Sequence, residues 1–246
     1  MPSEIPDIIW ASSEQEFLDR KNRGVGLANI ILSHPQLIKW YTQNYDGGLD
    51  HHKLEPIPLG MNFHSEKYVK DLSPEGQSAA LDNVVKYMLP RSQRIQKIYM
   101  DSMSTTTDQR WKRSIKRLDA ENNFLLRSEL VDKFRSKQFV YKAPGLPRQD
   151  SWIDRAKYAF SISPRGNGLD CHRTWESLVL GQIVILKSGP LDRLYEDLPV
   201  VIIDDWNEVT LENLKYWAKK YEDPVYDKNV RQKLSSSFWR SKVLTS

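Results

Sequence analysis

Tyr158-Ala-Phe-Ser-Ile-Ser-Pro-Arg-Gly-Asn-Gly-Leu-Asp-Cys-His-Arg-Thr-Trp-Glu-Ser-Leu-Val-Leu-Gly181 reads as a strand, a glycine turn and a helix in one run. Residues 158–163 have the composition of a short strand, and Pro164 ends it because proline cannot continue a hydrogen-bonded ladder. Gly166 and Gly168 let the backbone turn and approach a ligand closely. Asp170 is a favourable N-cap for a helix over 170–180. Gly181 then suits the residue just past its end. The glycine turn would sit at the carboxyl end of the strand, where open α/β sheets bind ligands.

The same alternation extends on both sides. Strands are expected at 95–100, 138–142, 158–163, 183–186 and 200–203, with helices at 107–119, 128–135, 150–157, 170–180, 191–196 and 208–221. Strands alternating with helices predict a parallel sheet covered on both faces, a doubly wound α/β lobe. The first ninety or so residues are less regular. Apolar runs at 8–10 and 27–32 are its strand candidates, followed by a loop-rich stretch at 44–64. We expect residues 1–92 to form a reduced N-terminal lobe and 93–224 a C-terminal, ligand-binding lobe. Residues 225–246 carry a helical pattern expected to pack back across both.

Composition excludes several classes. A chain of 246 residues with 39% apolar residues, eight Trp and eleven Tyr can bury a real core, so it is not a disordered protein. A formal charge of +4 suits an anionic ligand, but the basic residues are spread out and no nucleic-acid motif accompanies them. No nucleic-acid partner is expected. One cysteine, Cys171, rules out an internal disulfide framework and fits a reducing compartment. No leader pattern and no apolar run approaching about twenty residues is present, so no transmembrane segment is expected. The expected location is the cytoplasm.

The helix after the glycine turn has two faces. Cys171, Trp175, Leu178 and Val179 fall on one, and His172, Arg173 and Glu176 cluster on another. Gly166 and Gly168 in the turn, with Arg173 and the helix N-terminus, suit the oxygens of a diphosphate, and Asn167 is a further candidate beside them. Glu176 suits the hydroxyls of a ribose. An amphipathic helix with a solvated Arg–Glu pair would produce the same pattern. The turn is neither a P-loop, lacking Gly-Lys-Ser/Thr, nor the dinucleotide fingerprint, lacking its third glycine.

Two further groups are candidates. Ser104 and Thr106 follow the strand at 95–100 and could bind phosphate oxygens, with Arg110 beside them to balance charge, unless the loop is only a hydroxyl-rich cap. Asp46, Asp50, His51 and His52 lie in the irregular N-terminal half, where a base for an acceptor hydroxyl is expected. Surface position is the ordinary reading of such a loop. There is no His-Glu-x-x-His, cysteine cluster or Asp-x-Asp, so no metal or other cofactor is expected, and Asp204-Asp205 reads as a strand-end turn. The Trp residues read as core, while Trp40 and Tyr41 could stack on an acceptor sugar.

Residues 163–181, with Ile183-Val-Ile-Leu186 and Leu198-Pro-Val-Val-Ile-Ile-Asp-Asp-Trp206, resemble the exostosin-type glycosyltransferases, which have small soluble relatives encoded by large algal DNA viruses. The resemblance spans roughly residues 40–220, is densest over 158–206, and includes 40–44 and 56–60. It implies a GT-B fold of two Rossmann-like lobes, with the nucleotide-sugar held mainly by the second. It also implies that Arg165, Arg173 and Glu176 contact the donor. The expected reaction moves a sugar from a nucleotide-sugar, a UDP-sugar first and UDP-xylose among them, to a glycan hydroxyl with inversion. The alternative is a non-catalytic nucleotide- or carbohydrate-binding module.

Overall fold

A computed structural model describes residues 14–43, 45, 47–63, 73–101, 126–166 and 168–245. In chain order they form α1 (Glu14–Ser33), β1 (Trp40–Thr42), β2 (Leu54–Pro56), α2 (Pro74–Tyr87), β3 (Ile95–Met100), α3 (Arg127–Phe134), β4 (Val140–Lys142), α4 (Arg148–Arg155), β5 (Tyr158–Ile162), α5 (His172–Val179), β6 (Ile183–Lys187), β7 (Val200–Ile203), α6 (Leu211–Lys220), α7 (Val225–Leu234) and α8 (Ser236–Leu244). Short 3-10 turns occupy 91–93, 192–195 and 206–208.

Apolar, mostly β-branched runs such as Ile-Val-Ile-Leu and Val-Val-Ile-Ile form strands that must be covered on both faces. Five of them make one parallel sheet in the order β4-β3-β5-β6-β7. Side chains alternate along each strand. Ile98, Met100, Phe160, Ile162, Ile183, Ile185, Val201 and Ile203 pack with Leu130 and Phe134 of α3 and Leu214 and Trp217 of α6. On the other face Val184, Leu186 and Val200 pack with Trp175 and Leu178 of α5, Leu194, Tyr195 and Val230 of α7. Each such fully buried side chain contributes roughly 1.5–3 kcal/mol. The protein is therefore α/β and Rossmann-like, with helices on both faces. Strand order reverses at β3: the chain moves outward to β4, then returns past β3 to β5, so the crevice at a switch point opens beyond the carboxyl ends of β3 and β5.

The N-terminal third differs from its expected outline. Leu27–Leu32 lies in α1, not in a strand: the good helix formers of residues 14–23 start the helix, and it runs on through Gly24 and Gly26. Leu32 is buried while Leu27, Ile30 and Ile31 are exposed. β1 and β2 pair in parallel as a separate two-stranded sheet, Trp40 opposite Leu54. Helix α2 packs Leu81 against Trp152 of α4. The tail is two helices: α7 joins the α5 face through Val230, and α8 reaches β1 where the Tyr41 hydroxyl donates to the Lys242 carbonyl at 3.3 Å. The segment expected as a 191–196 helix is a 3-10 turn, and 208–221 divides into a turn capped by Asp205 and α6 capped by Thr210. The 8–10 run and the 107–119 helix lie outside the described residues. Among the described residues no helix is long and apolar enough to cross a membrane.

At the amino edge of the sheet two arginines fasten the helix ends. Arg94 donates from Nε to the Leu89 carbonyl at 2.7 Å and from Nη1 to the Leu180 carbonyl at 2.5 Å. Arg91 donates from Nε to the Gly181 carbonyl at 2.8 Å and from Nη1 to the Tyr221 carbonyl at 2.5 Å, and pairs with Asp227 of α7. The last carbonyls of helices favour cations. Burial, with the nearby Arg91 charge, pushes the Arg94 pKa down to about 10. Gly181 is in the left-handed region (φ 69°), and a Cβ there would lie 2.9 Å from Arg94 Nη2. Arg91→Ala strands three acceptors, so we expect it to cost about 3 kcal/mol. Asp227→Asn should cost at most about 1 kcal/mol, since Asp227 is half exposed. Urea midpoints of the two variants check the difference.

Candidate functional site

The polypeptide leaves β3 at Asp101 and leaves β5 through 163–166, so both segments border the switch-point crevice. Ser163 N–H still donates to the Ile185 carbonyl at 3.1 Å, and its hydroxyl meets that of Thr174 at 2.9 Å, which pins the turn to α5. Gly166 N–H donates to the Gly168 carbonyl at 2.9 Å. Arg127, the first residue of α3, is buried beneath this turn. It donates from Nε to the Arg165 carbonyl at 2.9 Å, and its Nη2 lies 3.8 Å from Cys171 Sγ. A Cβ on Gly166 would meet Arg127 Nη2 at 2.8 Å and Cys171 Sγ at 3.0 Å. The glycine is thus required by a buried guanidinium, independently of any ligand. Gly166→Ala should displace Arg127 and cost about 1–3 kcal/mol, read as a fall in Tm.

Helix α5 begins at His172 with Cys171 as its N-cap, and no side chain caps it. Asp170, the expected cap, turns inward instead. It is almost wholly buried and accepts from Leu59 N–H (2.7 Å), Cys171 N–H (2.8 Å), the Trp175 indole (2.8 Å) and the Tyr195 hydroxyl (3.1 Å). Burial pushes its pKa up, against the downward pull of those donors. A carboxylate surrounded by donors is matched only while both oxygens accept. Asp170→Asn turns one acceptor into a donor among donors. It should cost about 2–4 kcal/mol and loosen the Leu59 segment, checked by hydrogen exchange at the Leu59 amide.

Arg173 donates from Nε to Asp101 Oδ2 at 3.1 Å, and the same oxygen accepts from Arg155 Nη2 at 2.8 Å. The Arg173 side chain is 17% exposed, and its two Nη groups have no acceptor among the described residues. Burial opposes its charge, but Asp101, with smaller contributions from Cys171 and Glu176, more than offsets this and its pKa stands above the usual arginine value. Glu176 is already engaged: Oε1 pairs with Arg148 at 2.5 Å, and Oε2 lies 3.4 Å from the Trp152 indole and 3.6 Å from Arg155 Nη1. Charges therefore alternate along Arg148, Glu176, Arg155, Asp101 and Arg173.

Of the expected site residues, Arg165, Gly168, His172, Arg173 and Glu176 come together at this turn and the first two turns of α5. Asn167, Ser104, Thr106, Arg110 and Asp46 lie outside the described residues. The loop bearing Asp50, His51 and His52 borders a different strand. Gly47 abuts Pro190 beyond β6, and Arg193 donates to the Leu54 carbonyl at 3.2 Å and lies over the Tyr45 ring. Within it, Asp50 and His52 are exposed, and His51 stacks on His52 with ring centres 4.5 Å apart. His51 Nδ1 accepts the Lys53 N–H at 3.1 Å. The N-terminal half does reach α5, but through residues 57–60: besides the Leu59 bond, the Gly60 carbonyl lies 2.8 Å from His172 Nδ1.

Sequence reasoning passed over Asp101, Arg127, Arg148 and Arg155 as site residues. Arg148, Trp152 and Arg155 at i, i+4 and i+7 were legible as one helix face, but their partner on α5 was not. Trp152, Trp175, Trp206 and Trp217 are buried in the core, and Trp40 and Tyr41 are half-buried in β1. Asp205 caps the turn that follows β7, accepting the Asn207 N–H at 2.6 Å. Among the described residues no three His, Cys, Asp or Glu side chains gather as a metal site would require. A recess of about 380 Å³ between α7 and α8, lined by Ser235, Phe238 and Lys242, shares no residue with the crevice. Neither does one of about 340 Å³ beside β4, lined by Tyr141, Pro144 and Asp154. Searches against models of known protein families and against curated proteins find no match to this chain.

Proposed function

We propose that the protein is an exostosin-type, nucleotide-sugar-dependent glycosyltransferase whose donor diphosphate binds at Arg173 and the 163–168 turn. The observation that carries this reading is the Arg173 guanidinium: fixed at Nε by Asp101, without an acceptor at either Nη among the described residues, and beside the switch point of a parallel sheet. A guanidinium edge matches two phosphate oxygens, and the uncapped start of α5 adds partial positive charge. In a GT-B arrangement the N-terminal residues would be a reduced acceptor lobe, meeting the donor lobe through residues 57–60. Transfer breaks the bond between the anomeric carbon and the diphosphate as an acceptor oxygen bonds to that carbon through an oxocarbenium-like centre. Arg173 and Arg165 would hold the charge that builds on the departing diphosphate. Glu176, with both oxygens engaged, serves in this reading to hold Arg148 and Arg155 and not the ribose.

A thermal-shift and hydrolysis screen against UDP, GDP and their sugar conjugates tests the proposal. A donor at a hundred times its Kd should stabilise the fold by about 2.7 kcal/mol. Arg173→Ala should fold, since Asp101 keeps Arg155, yet bind that donor about 10–100-fold more weakly. Absence of any nucleoside-diphosphate binding sinks the proposal. Binding without hydrolysis or transfer would instead indicate a binding module.

A further inference from the structure

We infer that Arg155 is a positioning residue for the donor: it stays out of the diphosphate's reach and decides how much of Arg173 is left to bind it. The inference rests on the reading of Arg173 as the diphosphate ligand and adds to it a residue on another helix. Arg155 is the last residue of α4, and its side chain is 3% exposed. Any effect it has on a ligand therefore passes through a neighbour.

Its guanidinium joins β3 to α5. Nη2 donates to Asp101 Oδ2 at 2.8 Å, just past β3, while on α5 Nη1 donates to the Ser177 hydroxyl at 3.4 Å and lies 3.6 Å from Glu176 Oε2. Its central carbon lies over the Tyr99 ring of β3, 5.5 Å from the ring centre. The Arg155 carbonyl accepts from Gln182 Nε2 at 3.1 Å, so backbone and side chain are both tied down. A group so held is a fixed point from which Asp101 takes its position.

The pairing of Asp101 with Arg173 shows what that fixed point does. A carboxylate and a guanidinium pair most strongly through two parallel bonds. Here one oxygen serves both arginines: Asp101 Oδ2 accepts from Arg155 Nη2 and, at 3.1 Å, from Arg173 Nε, and neither Nη of Arg173 has an acceptor among the described residues. Arg155 thus restricts Asp101 to a single bond on Arg173. A carboxylate released from Arg155 gains a second bond by turning both oxygens to Arg173, which occupies an Nη that the diphosphate needs. That turn leaves the charge of Arg173 unchanged and removes its ligand-binding edge.

The test is a cycle of four full-length proteins, wild type, Arg155→Met, Arg173→Ala and the double variant, with UDP or GDP as probe, whichever gives the larger thermal shift. Arg155→Met leaves each carboxylate one cation, Asp101 with Arg173 and Glu176 with Arg148, so the fold should survive. We expect it to weaken nucleotide binding about tenfold when Arg173 is present and less than about twofold in the Arg173→Ala background, since residues that act through one another are not additive. An equal loss in both backgrounds shows a merely structural effect and overturns the inference while leaving the transferase reading intact, as does wild-type affinity in Arg155→Met. Should Arg155→Met not fold, Arg155→Lys takes its place in the cycle: a single ammonium cannot serve Asp101 and Glu176 together as the fork does, and the same outcomes decide. Wild-type protein that binds neither nucleotide overturns the transferase reading itself, and the role of Arg155 with it.

Discussion

A carboxylate removed from water has to find donors for both oxygens, and Asp170 finds them on three separate parts of the chain. Leu59 comes from the N-terminal segment, Cys171 and Trp175 from the start of α5, and Tyr195 from the turn between β6 and β7. Such a group is costly unless satisfied and strongly directional once it is. Asp170 therefore fixes how the N-terminal residues lie on the Rossmann-like sheet and where α5 begins. The glycine turn before α5, and both residues of its first turn, inherit their positions from it.

The second constraint is electrostatic. Arg155 is almost fully buried, and a buried guanidinium persists only with carboxylates beside it. Asp101 and Glu176 supply them, from the end of β3 and from α5, while Arg148 and Arg173 flank the pair. Because Asp101 Oδ2 is shared by Arg155 and Arg173, the buried arginine holds the carboxylate that orients the more accessible one. Arg173 is thereby presented with its Nε committed and its Nη edge directed elsewhere. Fixing a cation before its ligand arrives reduces the ordering that binding must supply.

How much of this was legible follows from the range of each interaction. The strands at 95–100 and 200–203 stand where the apolar runs end, because burial on both faces leaves a local pattern. Gly181 ends α5 as expected for a similar reason. Helix α2 was passed over although Ser73, Pro74 and Glu75 give a proper start signal: Ser73 Oγ accepts the Gly76 N–H at 3.1 Å. Asp170 looked like a cap because caps are local, yet three of its four partners are elsewhere or inward. Glu176 looked free for a ribose because its nearest sequence neighbour of opposite charge, Arg173, turns to Asp101 instead. Arg148 and Arg155, which hold it, lie more than twenty positions away. Residue types at the turn could be read from the sequence, but the pairing among them could not.

Helical geometry explains why two adjacent residues can serve different parts of the molecule. Successive side chains on an α-helix diverge by about 100°. His172 and Arg173 at the start of α5 therefore cannot share a partner, and one meets the Gly60 carbonyl while the other meets Asp101. The first turn is the one place on a helix where such divergence is compatible with a common cleft, since no preceding turn screens the two side chains from the space beyond the N-terminus. Under the proposed function that divergence separates the labour: the guanidinium addresses the departing diphosphate, and the imidazole holds the Gly60 segment. Two groups that emerge from one rigid backbone in different directions serve both tasks without a second mobile element, because Asp170 ties the Leu59 segment to the helix start.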